Sequence, residues 1–262
     1  MVSYSEDVKV KPLLEGKVAL VTGAFGGLGQ VFARMLGEAG ASVGLAGRRM
    51  GDGRVLEAQL ASDGIHALAV KMEVTDRASV EEAVAKVSSR LGNIDILVNN
   101  AGVNVTRAFL DQTEEDWSSV IDVNLTGAWR VAQVAARQMR DHGKGGTIIN
   151  IGSVLAERVQ PHVSSYCAAK AGLSHLTRAM ALELARFQIR VNALAPGYIE
   201  TPINRDYFAS DAGKAMVKRV PQRRLGVGDD LRGALLLLAS DQSSHMTGTV
   251  LTVDGGHSIS SL

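Results

Sequence analysis

Seven short runs rich in β-branched and apolar residues recur from residue 17 onward, at 17–22, 42–46, 67–70, 94–99, 147–152, 190–195 and 249–253, and helix-length amphipathic stretches separate them. Strands joined through helices pair in parallel, and a parallel sheet carries its crossover helices on both faces. Runs such as ILVNN and TIINIGS are apolar almost throughout, the pattern of a strand with no solvent face. The chain is therefore expected to be α/β, a doubly wound parallel sheet of about seven strands with helices on both faces.

Helix punctuation fits that order. Thr113 with Asp116 three residues on marks the start of a long helix running through Trp117 and Arg130, and Asp76 caps an earlier one. Gly40, Gly64 and Gly92 stand where helices end. No repeat or Pro/Gly/Ser linker divides the 262 residues, so residues 16–262 read as one catalytic domain and 1–15 as an N-terminal tail. Residues 200–226 keep no clean period and are long for a connection, which suits a substrate lid.

Composition excludes several partners. A net charge of +1 with interspersed signs argues against nucleic acid or an anionic membrane surface. No apolar run approaches the roughly 20 residues that span a bilayer, and the opening residues lack the apolar core of a secretory signal. One cysteine, Cys167, fits a reducing, cytoplasmic setting, and the six histidines show no metal-ligand spacing. Directly after Tyr166, Cys167 points about 100° away on a helix and reads as a small packed hydrophobe.

The stretch KVALVTGAFGGLGQ reads as strand, glycine turn and helix start. Gly23, Gly27 and Gly29 keep the turn free of side chains, so helix N-terminal N–H groups can approach a pyrophosphate in the Rossmann-like manner. About twenty residues on, an acid would bind the ribose 2′-hydroxyl of NAD. Here Gly47 stands at that place, followed by Arg48 and Arg49, and an arginine suits the 2′-phosphate of NADP. NADP(H) is thus expected in preference to NAD(H), with Arg48 the reader and Arg49 the likelier surface side chain.

Tyr166 and Lys170, in YCAAK, share one face of a helix at i and i+4. A free phenol titrates near about pH 10, and a cation beside it favours the phenolate. The pair reads as a tuned general acid/base.

These residues resemble one family, the short-chain dehydrogenase/reductases. TGAFGGLG, NNAG at 99–102, Asn124 in DVNLTG, Ser153 in NIGS, YCAAK, APGYIETP from 195 and VDGG at 253–256 fall in the family's order. The resemblance implies an NAD(P)-dependent oxidoreductase that interconverts a carbonyl and a secondary alcohol by hydride transfer. Tyr166 would be the acid/base, Ser153 would polarise the substrate oxygen, and Lys170 would lower the tyrosine pKa and hold the nicotinamide ribose. Asn124 would position a water linking the lysine to solvent. The cofactor would lie along Gly23, Phe25, Gly27, Leu28 and Gly29, then Asn100, Ala101 and Gly102, and would end at Pro196, Gly197, Ile199 and Thr201. Glu73 and Val74 stand where the family places an aspartate and a β-branched residue against the adenine.

Val154, Leu155, Ala156, Glu157, Arg158, Gln160, His162 and Tyr198 would join the 200–226 lid around a small-molecule substrate. Arg158 and His162 could meet an anionic or hydroxylated group or face water. The nearest relatives in kind are 3-oxoacyl carrier-protein reductases and sugar or polyol dehydrogenases; Arg130, Lys144, Arg186 and lid cations could dock an acidic carrier. The alternative from another class is a non-catalytic NAD(P)-binding sensor, which an intact Asn124, Ser153, Tyr166 and Lys170 set disfavours. Family members are commonly homotetramers, or dimers, that pair the helices bearing Asn124 and Tyr166; His257 and Ser258 would then close a neighbour's site.

Overall fold

The computed structural model describes residues 11–201 and 204–260; positions 1–10 of the expected tail and 202–203 of the expected lid lie outside it. Strands β1 (Val18–Thr22), β2 (Ser42–Gly47), β3 (Ala67–Lys71), β4 (Ile96–Asn99), β5 (Gly146–Ile151), β6 (Ile189–Pro196) and β7 (Val250–Val253) form one sheet, in the spatial order β3, β2, β1, β4, β5, β6, β7. Every pairing is parallel, so the expected seven-stranded, doubly wound architecture is the one observed.

The helices are α1 (Gly27–Glu38), α2 (Met50–Ser62), α3 (Arg77–Leu91), α4 (Glu114–Ile121), α5 (Ala128–His142), α6 (Ser164–Leu184), α7 (Arg205–Ala209), α8 (Asp211–Val217) and α9 (Arg232–Ala239). Two cores result, because successive strand side chains point to opposite faces. Phe32 and Leu36 of α1, Leu60 of α2 and Leu235 of α9 pack on Val21, Leu45 and Val98. On the other face Val84 and Val87 of α3 and Val131 and Met139 of α5 pack on Leu20, Leu97 and Ile148. All five β1 residues are buried, which is why that run contains no charged residue.

Local signals hold at the helix ends. Thr113 Oγ1 accepts from Asp116 N at 3.1 Å while Asp116 Oδ2 accepts from Thr113 N at 3.1 Å, closing a capping box. Asp76 Oδ1 accepts from Ala78 N at 3.0 Å. Gly40, Gly64 and Gly92 all take positive φ. The long helix expected beyond Thr113 is interrupted: Asp122–Gly127 winds as a π-helix between α4 and α5. Leu14, inside the expected tail, is buried with its N–H on Ala39 O at 2.8 Å, so core packing begins before residue 16. The expected lid contains two short helices, α7 and α8. Its ends are tied where Ile199 bridges Gly226, with Glu200 N on Gly226 O at 2.8 Å and Gly226 N on Tyr198 O at 2.9 Å.

The chain runs outward from β1 to β3 on one side and from β4 to β7 on the other. The reversal between β1 and β4 leaves a crevice beyond their carboxyl ends, the place where open α/β sheets bind ligands.

Candidate active site

A cleft of about 480 Å³ occupies that crevice. The glycine turn forms one end of it, the 100–104 segment its floor, and Ser153, Tyr166, Lys170, Tyr198 and Thr201 the other end. The turn follows β1 because a side chain would break its joints. A Cβ on Gly29 would lie 2.1 Å from Gly23 O, and one on Gly23 would lie 2.9 Å from Ala101 Cα. Gly26 and Gly27, by contrast, have no atom within 4 Å of an added Cβ and face open space. Asn100 fastens the arrangement: its side chain donates to Thr22 O at 3.0 Å and Gly23 O at 3.3 Å, while Thr22 Oγ1 accepts from Asn100 N and Ala101 N, both at 3.0 Å.

Beside the turn lies a smaller pocket of about 120 Å³, lined by Gly47, Arg48, Glu73, Val74 and Gly102 among others. Arg48 Nη1 stands 3.7 Å from Glu73 Oε2 across it, so the two residues expected at opposite ends of an adenosine do face one another. Arg49 lines neither cavity. It bonds Asp52 Oδ2 at 2.6 Å in the first turn of α2. Phe25 also leaves both cavities and packs instead against Gly47 and Gly53.

At the reacting end, Ser153 caps a short 3-10 turn after β5, its Oγ accepting from Leu155 N at 3.1 Å. The first turn of α6 carries Tyr166, and the next carries Lys170. α6 is pinned to the sheet by a buried polar chain: Asn99 Nδ2 donates to Asn150 Oδ1 at 3.0 Å, and Asn150 Nδ2 to Thr177 Oγ1 at 2.8 Å. Lys170 is 4% exposed and donates to Ile151 O at 2.7 Å, with Nζ 5.5 Å from the Tyr166 ring centre.

Electrostatics here differ from the sequence expectation. Burial raises the Tyr166 pKa, the hydrogen bond with Ser153 pulls it down in part, and Cys167 opposes ionisation further. Lys170 is not among the causes of that shift: desolvation brings the lysine's own pKa to about 8, and its ammonium is turned to the Ile151 carbonyl. Cys167 is only half buried and lies close enough to raise both Tyr166 and Tyr198.

Asn124 sits in the π-helix, 1% exposed, and both ends of its amide are taken by one residue. Oδ1 accepts from Val103 N and Nδ2 donates to Val103 O, each at 2.8 Å. Its side chain therefore holds the cleft floor.

Val154, Leu155 and Tyr198 line the cleft as expected, and so do Gly23, Gly27, Leu28, Ala101, Gly102, Pro196, Gly197 and Ile199. Arg158, Gln160 and His162 do not. The loop after Ser153 turns away, so Arg158 Nη1 meets Ser258 O at 3.3 Å, Gln160 Oε1 accepts from Tyr198 OH at 2.9 Å, and His162 is exposed with φ of 67°. His257 packs on Tyr198 of the same chain, ring centres 4.9 Å apart. Asn104 and Asn204, which sequence reasoning missed, also line the cleft. Asn204 Oδ1 accepts from Thr201 N and its Nδ2 donates to Ile199 O, both at 2.8 Å; its only signal was an amide at a turn just before a short helix.

The side-chain-free turn, the open faces of Gly26 and Gly27, and the Arg48 pocket together fit a dinucleotide. Comparison with known proteins agrees. The family described as enoyl-(acyl carrier protein) reductase matches residues 23–258. The 3-oxoacyl-(acyl-carrier-protein) reductase FabG of Thermotoga maritima is 39% identical over 93% of this chain and 98% of its own length. L-rhamnose 1-dehydrogenase (NAD(P)+) of Azotobacter vinelandii is 38% identical over 93% of this chain and 97% of its own. The crystal structure of a gluconate 5-dehydrogenase from Burkholderia cenocepacia J2315, with NADP and tartrate, superimposes at a TM-score of 0.91 with 38% identity, covering 96% of this chain and 98% of that one. The chain belongs to the short-chain dehydrogenase/reductase family. It is an NAD(P)-dependent oxidoreductase.

Proposed function

We propose that the chain interconverts a ketone and a secondary alcohol on a small polar substrate, with NADP(H) preferred and Tyr166 as the proton-transferring residue. The observation that carries this reading is the meeting of Ser153, Tyr166 and Lys170 in the cleft that the glycine turn opens onto. When bound, the nicotinamide supplies or accepts the hydride.

The protein's side chains do the rest. Ser153 donates to the substrate oxygen beside Tyr166, whose pKa it pulls down in part. Tyr166 gives that oxygen a proton in reduction and takes one back in oxidation. Burial keeps the phenol protonated, which suits the donor state. Lys170 would hold the ribose hydroxyls and, turned toward them, would stabilise the phenolate as it forms. Arg48 would meet the 2′-phosphate, Glu73 and Val74 the adenine side, and Ile199 and Thr201 the carboxamide. The complete set disfavours a sensor that binds cofactor without chemistry.

Two observations favour a free polar substrate over a carrier-bound one. Lys144 and Arg186 precede β5 and β6, at the end of the sheet opposite the cleft, and Arg130 is engaged on the Val74 carbonyl, so these three of the expected docking cations do not surround the mouth. Polar groups do: Asn104 and the Tyr198 phenol line the cleft. The assay is turnover of sugar acids, polyols and 3-oxoacyl thioesters with both cofactors. Exclusive turnover of carrier-bound thioesters would refute the substrate class. Tyr166→Phe should bind NADPH normally and lose at least about a hundredfold in kcat; retained turnover would remove the mechanism.

The chain is further proposed to assemble as a homotetramer or homodimer through α5 and α6. A groove of about 210 Å³ between them is lined by Trp129, Ala136, Met180, Leu184 and Phe187, and Leu182 beside it is 82% exposed. Light scattering on Phe187→Asp tests it: an unchanged mass would refute the face. Among the described residues no helix is long and apolar enough to cross a membrane, and the lone cysteine supports a cytoplasmic place.

A further inference from the structure

Two glycines face each other across Phe25. Gly47 ends β2 and Gly53 lies near the start of α2. A Cβ on Gly47 would lie 2.5 Å from Phe25 Cδ2, and a Cβ on Gly53 would lie 2.5 Å from Phe25 Cζ. The ring thus fills a slot that stays open only because both neighbours lack side chains. A glycine inside a helix is a poor choice without such a cause, since alanine would stabilise it. Gly47 also borders the pocket that holds Arg48 and Glu73, while its side-chain direction is taken by the ring.

A carboxylate at the end of the second strand is the group that binds a ribose 2′-hydroxyl and repels a 2′-phosphate. We propose that Phe25 is a steric lock on cofactor choice: seated between Gly47 and Gly53, it bars any carboxylate from the end of β2 and leaves Arg48 as the side chain that meets the 2′ position. The proposal rests on the NADP(H) reading of Arg48. It joins two parts of the nucleotide site that otherwise act separately, the turn that approaches the pyrophosphate and the strand end that reads the ribose. Adding an acid at position 47 is therefore not enough to admit NADH. The ring has to leave first, and a ring forced out of the slot is displaced within the turn itself.

The test uses the purified full chain with Gly47→Asp, Phe25→Ser, their combination and Arg48→Ala. Dissociation constants for NADPH and NADH come from calorimetry, and melting temperatures are taken without nucleotide. Gly47→Asp alone should melt lower and bind both dinucleotides less tightly. The double variant should melt above Gly47→Asp and bind NADH at least about tenfold more tightly than it. If Gly47→Asp alone binds NADH as tightly as the double variant, and the two melting shifts simply add, the lock is refuted. Should Gly47→Asp fail to fold, Gly47→Ala carries the same first carbon. It should lower the melting temperature where Phe25 is kept and much less in the Phe25→Ser background, and equal lowering in both backgrounds refutes the lock. Arg48→Ala separates the premise. An unchanged NADPH to NADH ratio in that variant would overturn the NADP reading, while the coupling between positions 25 and 47 is still decided by melting.

Discussion

Lys170 reports how dry the floor of the site is. Desolvation lowers its pKa from 10.5 to about 8, with the ammonium hydrogen-bonded to Ile151 O at 2.7 Å. The folded value lies below the unfolded one. Below about pH 8 both states hold the proton, and the residue adds no slope to stability. Between about 8 and 10.5 the unfolded chain binds a proton that the folded chain has shed, so stability rises with pH by about 1.4 kcal/mol per unit. Over the whole shift the buried charge costs about 3 kcal/mol at neutral pH. Lys170→Met keeps an apolar stem and removes the titration. Urea unfolding of both proteins, followed by circular dichroism from about pH 7 to about 9.5, isolates the effect. The difference, wild type minus variant, should be level to about pH 8 and then climb by about 2 kcal/mol. Tyr166 stays outside that window, since burial moves it upward. A difference that stays level throughout would mean that Lys170 titrates as it does in water, and the buried-cation account would fall.

Asn124→Ala leaves the Val103 N–H and C=O without their 2.8 Å partners; a loss of about 2–4 kcal/mol in thermal or urea unfolding is expected, together with weaker NADPH binding. Gly29→Ala drives a methyl to 2.1 Å from Gly23 O, so calorimetry should find NADPH affinity at least about tenfold lower even where the fold survives. Thr177→Val removes the acceptor of the buried Asn150 amide and should cost about 1–3 kcal/mol by urea unfolding.

The strands were legible because burial on both faces leaves a run such as ILVN no room for charge. The capping box at Thr113 was legible because it is local. The π-helix was not: DVNLTG carries no local mark of it, and its setting is tertiary, with a Cβ on Gly127 destined to meet Val74 at 2.8 Å. α7 and α8 were invisible for a different reason, being too short to show a period. Within the site, Tyr166 and Lys170 followed from helix spacing together with the glycine turn and Ser153, whereas Arg158, Gln160 and His162 were placed by nearness in sequence to Ser153, which says nothing of where a loop turns. The slot around Phe25 needs the end of β2 and the start of α2 to meet. Its trace in sequence was a glycine inside a helix at position 53.

The bridge between Ile199 and Gly226 gives the segment it closes an independence of its own. Both ends of 200–226 are fixed to each other at the spacing of paired strands, whatever lies between them. Insertions, deletions or replacement between 205 and 225 would leave Tyr198, Thr201, Asn204 and the last residues of β6 where they are. On the proposed reading, in which this segment covers the substrate, substrate choice can drift like an exchangeable cartridge while Ser153, Tyr166 and Lys170 stay on the rigid frame, which would give one reaction a short route to many different alcohols.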